Sequence, residues 1–146
     1  MQLQGIRVVD LSRIVAGPFC SMFLADMGAE VIKIEDVDEG DPVRKQGILR
    51  NGFSLYFASF NRNKRSLTLD LRSADGKAAL RRLIATADVV LDNFRPGVME
   101  KIGLSRDELL RIKPDLGSCH ITGFGLDGPY RDRPSLDFLA QARSGL

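Results

Sequence analysis

Apolar and polar positions along this chain keep switching period, and the switches mark out its elements. Residues 6–11 (IRVVDL) form a short apolar run, which predicts a buried strand closed by Asp10. Residues 18–27 (PFCSMFLADM) suit a helix, with Pro18 tolerated in the first turn and Gly28 as the stop. Residues 30–34 (EVIKI) are β-branched and predict the next strand. Residues 35–52 lose all periodicity and are crowded with charges and glycines, so they predict a long loop, either mobile or functional. Residues 66–71 (SLTLDL) alternate as a strand does. Ser73 then caps a helix through residue 85, with Leu80, Leu83, Ile84 and Ala87 on its apolar side. A buried strand is expected at 88–91 and a short helix at 98–102. Ser105 and Glu108 form a capping-box pattern opening a helix that stops before Pro114. A strand at 116–122 leads into a glycine-rich loop, and residues 137–146 read as a helix just begun.

Strands separated by helices imply parallel pairing through right-handed crossovers, hence a Rossmann-like open α/β sheet. In such sheets ligands bind beyond the carboxyl ends of the strands. That places interest on residues 12–18, 35–40, 72, 93–97 and 123–133.

Composition narrows the function classes. The chain has 146 residues, 44% hydrophobic and 27% charged, which is ordinary for a globular domain with a core of its own. A net charge of +2, with no interleaving of basic and aromatic residues, argues against nucleic acid. There is no signal-peptide pattern and no apolar stretch long enough to span a bilayer. Cys20 and Cys119 match no metal-ligand spacing and are expected as buried, reduced thiols in a cytoplasmic protein. No metal is expected.

Several candidate motifs compete. Gly123, Gly125 and Gly128 fit the dinucleotide-binding spacing, but they do not lie in the first strand–helix turn, and residues 129–134 open no clean helix. Arg13, Arg72, Arg95 and Lys101 fall near strand ends, where cations and helix N-termini suit a phosphorylated ligand. The basic run 61–65 is either a solvated turn or a segment held against the fold by hydrogen bonds. His120, the one histidine, is expected as a packed strand residue rather than a base, and Asp10 as structural.

Certain segments together carry a family resemblance. Leu3-Gln-Gly-Ile-Arg-Val-Val-Asp-Leu11, Ala16-Gly-Pro18 and Leu24-Ala-Asp-Met-Gly-Ala-Glu-Val-Ile-Lys-Ile-Glu35 resemble the opening of the family III (CaiB/BaiF-type) CoA-transferases. Asn61-Arg-Asn-Lys-Arg-Ser66, Leu69-Asp-Leu71, Asp92-Asn-Phe-Arg-Pro-Gly97 and Ile121-Thr-Gly-Phe-Gly-Leu-Asp-Gly-Pro129 extend the resemblance over essentially the whole chain. It implies that residues 1–146 are the N-terminal, coenzyme A-binding part of a larger domain. It also implies an interlocked homodimer, with acyl-CoA and a carboxylic acid as substrates and no permanently bound cofactor. In the family an aspartate attacks the thioester and forms a mixed anhydride, and that aspartate is expected downstream of residue 146. By the same resemblance, Arg13, Ile14, Val15 and Ala16 lie along the CoA chain. Arg72 and Lys101 serve its phosphates, and Asn93, Phe94 and Arg95 its adenosine end. Val15 and Asp36 stand where the formyl-CoA transferase branch has glutamine and arginine, which argues against formyl or oxalate specificity. Leu136 precedes Asp137 where the racemase branch has histidine, so proton exchange at the α-carbon is disfavoured. A non-catalytic nucleotide-binding module is the remaining alternative.

Overall fold

A computed structural model describes residues 1–145. Strands β1 (Arg7–Asp10) and β2 (Glu30–Glu35) flank helix α1 (Ala16–Asp26) in sequence. A single 3₁₀ turn (Pro42–Lys45) and a hairpin of β3 (Leu49–Arg50) and β4 (Phe53–Ser54) lead into α2 (Leu55–Asn61). Then come β5 (Lys64–Thr68), α3 (Ala74–Ile84), β6 (Val89–Asp92), α4 (Val98–Lys101), α5 (Arg106–Ile112), β7 (Gly117–His120) and α6 (Asp137–Ser144).

The main sheet has five strands in the order β5-β2-β1-β6-β7. Every neighbouring pair is parallel. Successive strands run outward in one direction from β1 to β5, and the chain then returns to place β6 on the other side of β1. This is the Rossmann-like arrangement expected from the alternation of elements, and the order reverses between β1 and β6. Among the described residues no helix is long and apolar enough to cross a membrane.

The two faces of the sheet are chemically different. One carries Val9, Leu11, Ile34 and Val90, packed under Leu80 and Ile84 of α3, Met99 of α4 and Leu109 of α5. The other packs Val8, Val31 and Leu91 against Ala25 of α1. Further along the same face the register sets Asp10 beside Lys33, and Lys33 beside Ser66. Asp10, Lys33 and Glu35 are all buried. Buried charges of this kind persist only when paired and hydrogen-bonded, and this face of the sheet is organised around that requirement.

Local signals explain most element boundaries. Ser73 Oγ accepts from Gly76 N (3.0 Å) and Ser105 Oγ from Glu108 N (3.3 Å), so both expected caps form. The reciprocal arm of the capping box goes elsewhere: the Glu108 carboxylate receives Arg81 (2.7 Å) and Arg111.

Three expectations require correction. The stretch 35–52 is not irregular throughout. It contains the 3₁₀ turn, opened by Asp41 accepting from Val43 N (3.1 Å), and one arm of the hairpin. That hairpin turns on Asn51 and Gly52, both with positive φ (53° and 78°), as a two-residue turn of matching twist requires. Strand β5 begins at Lys64, two residues before the alternating run, because Lys64 pairs with Val31. The thiols of Cys20 and Cys119 are only partly buried. Burial and the neighbouring Cys119 and Asp10 push the Cys20 thiol up.

Candidate functional site

The reversal between β1 and β6 leaves a crevice at the carboxyl edge of the sheet. It is lined on one side by Leu11, Arg13 and Ile14, on the other by Asn93, Phe94 and Arg95, and is flanked by Asp36 and Arg72. Its volume is about 530 Å³, within the range of small-molecule and cofactor sites.

The crevice holds most of the residues singled out from sequence. Arg13, Ile14, Arg72, Asn93, Phe94 and Arg95 all line it. Val15 and Ala16 turn away into the start of α1, and Lys101 lies exposed at the end of α4 without lining the crevice. The Arg13 guanidinium sits 5.6 Å from the centre of the Phe94 ring. Among the described residues Arg13, Arg95 and Lys101 make no ion pair, whereas Arg72 is held by Asp70 (2.8 Å) and Asp38 (3.1 Å). Those two carboxylates hold the Arg72 guanidinium firmly in its charged form. An anionic ligand would therefore find Arg13 and Arg95 uncommitted, and would compete with aspartates for Arg72.

Behind the crevice lies a buried polar network that the sequence reading did not assemble. The Asp10 carboxylate accepts from Ser12 N (2.9 Å), Ser12 Oγ, Ser21 Oγ (2.5 Å) and Lys64 Nζ (3.2 Å). Lys64 Nζ also donates to Pro18 O (2.9 Å) and Asn61 Oδ1 (3.0 Å). Burial is the main cause that lowers the Lys64 ammonium, to about 8, against the opposing pull of Asp10. The run 61–65 is thus a segment held into the fold through Asn61 and Lys64, and the solvated-turn reading fails at those residues. Lys33 Nζ pairs with Asp41 (2.8 Å) and donates to Ser12 O (2.8 Å). The available signal was a lysine inside the apolar strand run EVIKI, where a long cation needs a buried partner.

Glu35, at the end of β2, anchors the following loop. Its carboxylate accepts from Arg44 Nε (2.6 Å) and Nη2 (2.7 Å), Ser66 Oγ (2.6 Å) and Asp41 N (2.9 Å). Burial alone would push this carboxyl up, but Arg44, Ser66 and the Asp41 amide together bring it down to about 2. The shift from 4.5 to about 2 corresponds to roughly 3 kcal/mol of stability. Because the folded value is the lower one, this contribution is complete above pH 4.5 and disappears as pH falls towards 2. Urea midpoints measured across that window should fall more steeply for the natural protein than for Glu35→Gln.

His120 pairs through Nδ1 with Asp92 Oδ1 (2.6 Å), so it is a partnered strand residue. Its Nε2 is buried and has no hydrogen-bond partner among the described residues. Burial raises the Asp92 carboxyl, and the bond from His120 opposes that rise. The glycine loop folds on itself, with Gly125 N donating to Thr122 Oγ1 (2.8 Å), and no helix begins until Asp137. That removes the strand–loop–helix context a dinucleotide fingerprint needs.

An open parallel sheet with a crevice at its point of strand reversal, rimmed by uncommitted arginines, defines a Rossmann-type fold of the kind that carries nucleotide coenzymes. The model of CoA-transferase family III matches residues 3–146, and the chain belongs to that family. It is 44% identical over 145 residues to the succinyl-CoA–D-citramalate CoA-transferase of Chloroflexus aurantiacus, covering 99% of this chain and 36% of that protein. It is 43% identical to the succinate–glutarate CoA-transferase of Agrobacterium fabrum, covering 98% of this chain and 38% of that one. A crystal structure of a CaiB/BaiF family protein from Brucella suis superposes with a TM-score of 0.92 at 46% identity, over 98% of this chain and 39% of that one. The chain thus spans little more than a third of the length of these relatives.

Proposed function

We propose that the protein containing this chain moves coenzyme A between an acyl-CoA thioester and a carboxylic acid, and that residues 1–146 supply the coenzyme-binding part. The observation that carries this reading is the crevice between β1 and β6, which Arg13 and Arg95 line without an ion pair among the described residues, Arg13 lying over the Phe94 ring. Membership of the family and the names of its relatives support this reaction class. Guanidinium groups suit phosphate oxygens because they offer paired donors and a fixed charge. The start of α1 carries no side-chain cap and no acidic residue in its first turn, so its amides and dipole favour a negative charge nearby.

In the proposed reaction an aspartate from outside residues 1–146 attacks the thioester carbonyl. The carbonyl–sulfur bond breaks, CoA leaves as the thiolate, and an aspartyl–acyl anhydride forms. The acceptor carboxylate attacks the aspartyl carbonyl of that anhydride, the donor acid leaves as a carboxylate, and a second aspartyl–acyl anhydride forms. The CoA thiolate then attacks the acceptor's acyl carbonyl, which forms the new thioester and releases the aspartate. The divided path replaces one difficult step with easier ones. The contribution of this chain is to hold the leaving and returning CoA in one place, so that the thiolate meets each anhydride without diffusing away. Arg13 and Arg95 hold phosphates and Phe94 packs at the adenosine end, while Val15, Ala16 and Lys101, which do not line the crevice, meet only parts of the coenzyme that extend beyond it. Arg72 joins the phosphates if they displace Asp38. An interlocked homodimer would cover the exposed aromatic side chains Phe19, Phe23 and Phe53, and a cytoplasmic setting belongs to the same reading.

With succinyl-CoA and a set of dicarboxylic acids, the full-length protein should generate new CoA thioesters, read by mass spectrometry. Hydroxylamine should trap an aspartyl hydroxamate. Absence of exchange with every acid, combined with deuterium wash-in at the α-carbon of a 2-methylacyl-CoA, would replace this reading with a racemase.

A further inference from the structure

Ile14 has φ of 70°, and among the described residues it is the one β-branched side chain in the left-handed region. Such a residue is strained there and stays only where its surroundings hold it. The surroundings are specific. Asn93 Oδ1 accepts from Arg13 N (2.8 Å), and Asn93 Nδ2 donates back to Arg13 O (2.8 Å). Ile14 N points at both oxygens of Asp41 (3.2 and 3.3 Å). Lys33 holds Asp41 and also donates to Ser12 O. Three consecutive loop residues are therefore gripped from two sides, by Asn93 just past the end of β6 and by Asp41 in the loop after β2, backed by Lys33 of β2.

We infer that Asp41, backed by Lys33, and Asn93 are positioning residues that fix the backbone at Arg13 and Ile14, so that the Arg13 guanidinium is set over Phe94 before the coenzyme arrives. Asn93 then acts through Arg13, its amide already committed to the loop backbone, and touches adenosine only secondarily. Asp41 and Lys33 never touch the ligand, because both are 1% exposed. The side chains stay outside the crevice while their hold on the backbone shapes it. Preorganisation of this kind raises affinity by sparing the ligand the ordering of the loop.

The inference rests on the proposed coenzyme site, and its test separates the two. In the full-length protein, Asp41→Asn should weaken CoA binding about tenfold, as the competent loop falls to roughly a tenth of the population. KM for the acyl-CoA should rise more than kcat falls. Adding Ile14→Gly to that variant should recover most of the affinity, because glycine adopts positive φ without strain. A loss of affinity caused only by general destabilisation would not be rescued by a glycine. If Asp41→Asn does not fold, hydrogen exchange on the natural protein decides. The Arg13 and Ile14 amides should be protected without coenzyme, and exchange at open-loop rates would overturn the inference. Unchanged affinity in Asp41→Asn would also overturn it. Protected amides in a protein that binds no CoA would leave the clamp standing and discard the coenzyme reading.

Discussion

Lys33→Ala is expected to destabilise the protein by about 3–5 kcal/mol, the usual cost of stranding one member of a buried ion pair. Lys33 and Asp41 are each 1% exposed and 2.8 Å apart. Without the ammonium, the Asp41 carboxylate keeps only the amides of Ile14 and Val43 as donors. Ser12 O also loses its partner. A surface pair gives the contrast: Lys45 and Glu39 are 65% and 69% exposed, and Lys45→Ala should change stability by no more than about 1 kcal/mol. Denaturant midpoints for the two variants should separate these cases. The double substitution Lys33→Met with Asp41→Leu should recover much of the stability, since apolar replacements of both partners are often neutral. It should not recover coenzyme affinity, because nothing then holds Ile14.

Gly17→Ala should be nearly as severe. A Cβ at this position would lie 2.1 Å from Ser12 Cβ and 2.5 Å from Ser12 Oγ. Ser12 is fully buried and bound to Asp10 through both its amide and its hydroxyl. Neither side can give easily, since Gly17 belongs to α1 and Ser12 is tied to the end of β1. Overpacking of a fixed contact costs about 1–3 kcal/mol, occasionally more. Here the displaced residue directly precedes Arg13, so CoA affinity should fall along with the melting temperature. Adding Ser12→Gly removes the clashing side chain and should restore part of the melting temperature.

The scaffold was legible because its signals are local. The apolar runs at β1, β2 and β6 and the serine caps of α3 and α5 each depend on residues within a few positions of one another. Their alternation was enough to specify a parallel sheet and to point at its carboxyl edge. The crevice follows from that topology, and so Arg13, Arg72 and Arg95 could be gathered from the strand ends before any geometry was known, whereas Asn93 and Phe94 came from the family resemblance and Lys101, gathered with the arginines, does not line the crevice. Helix α2 was missed because its seven residues, LYFASFN, show no polar face to set a helical period. Ser54, which accepts from Phe57 N (3.0 Å), was the signal available for its start, and Asn51-Gly52 was the signal for the hairpin before it. The buried network was illegible for a different reason. Lys64 finds Asp10 across 54 positions, and in sequence it sits in a run that looks solvated. Only strand register brings such partners together. The same holds for the grip of Asn93 on Arg13, which spans 80 positions.

The most direct measurement is a calorimetric titration of CoA into the full-length protein, at low and high salt, alongside Arg13→Ala and Arg95→Ala. Binding should be saturable with one site per chain, and weakened by salt and by each substitution, because the phosphates meet exposed guanidinium groups. Saturable binding that ignores both arginines would place the coenzyme elsewhere, and no binding by the folded protein would contradict the account outright.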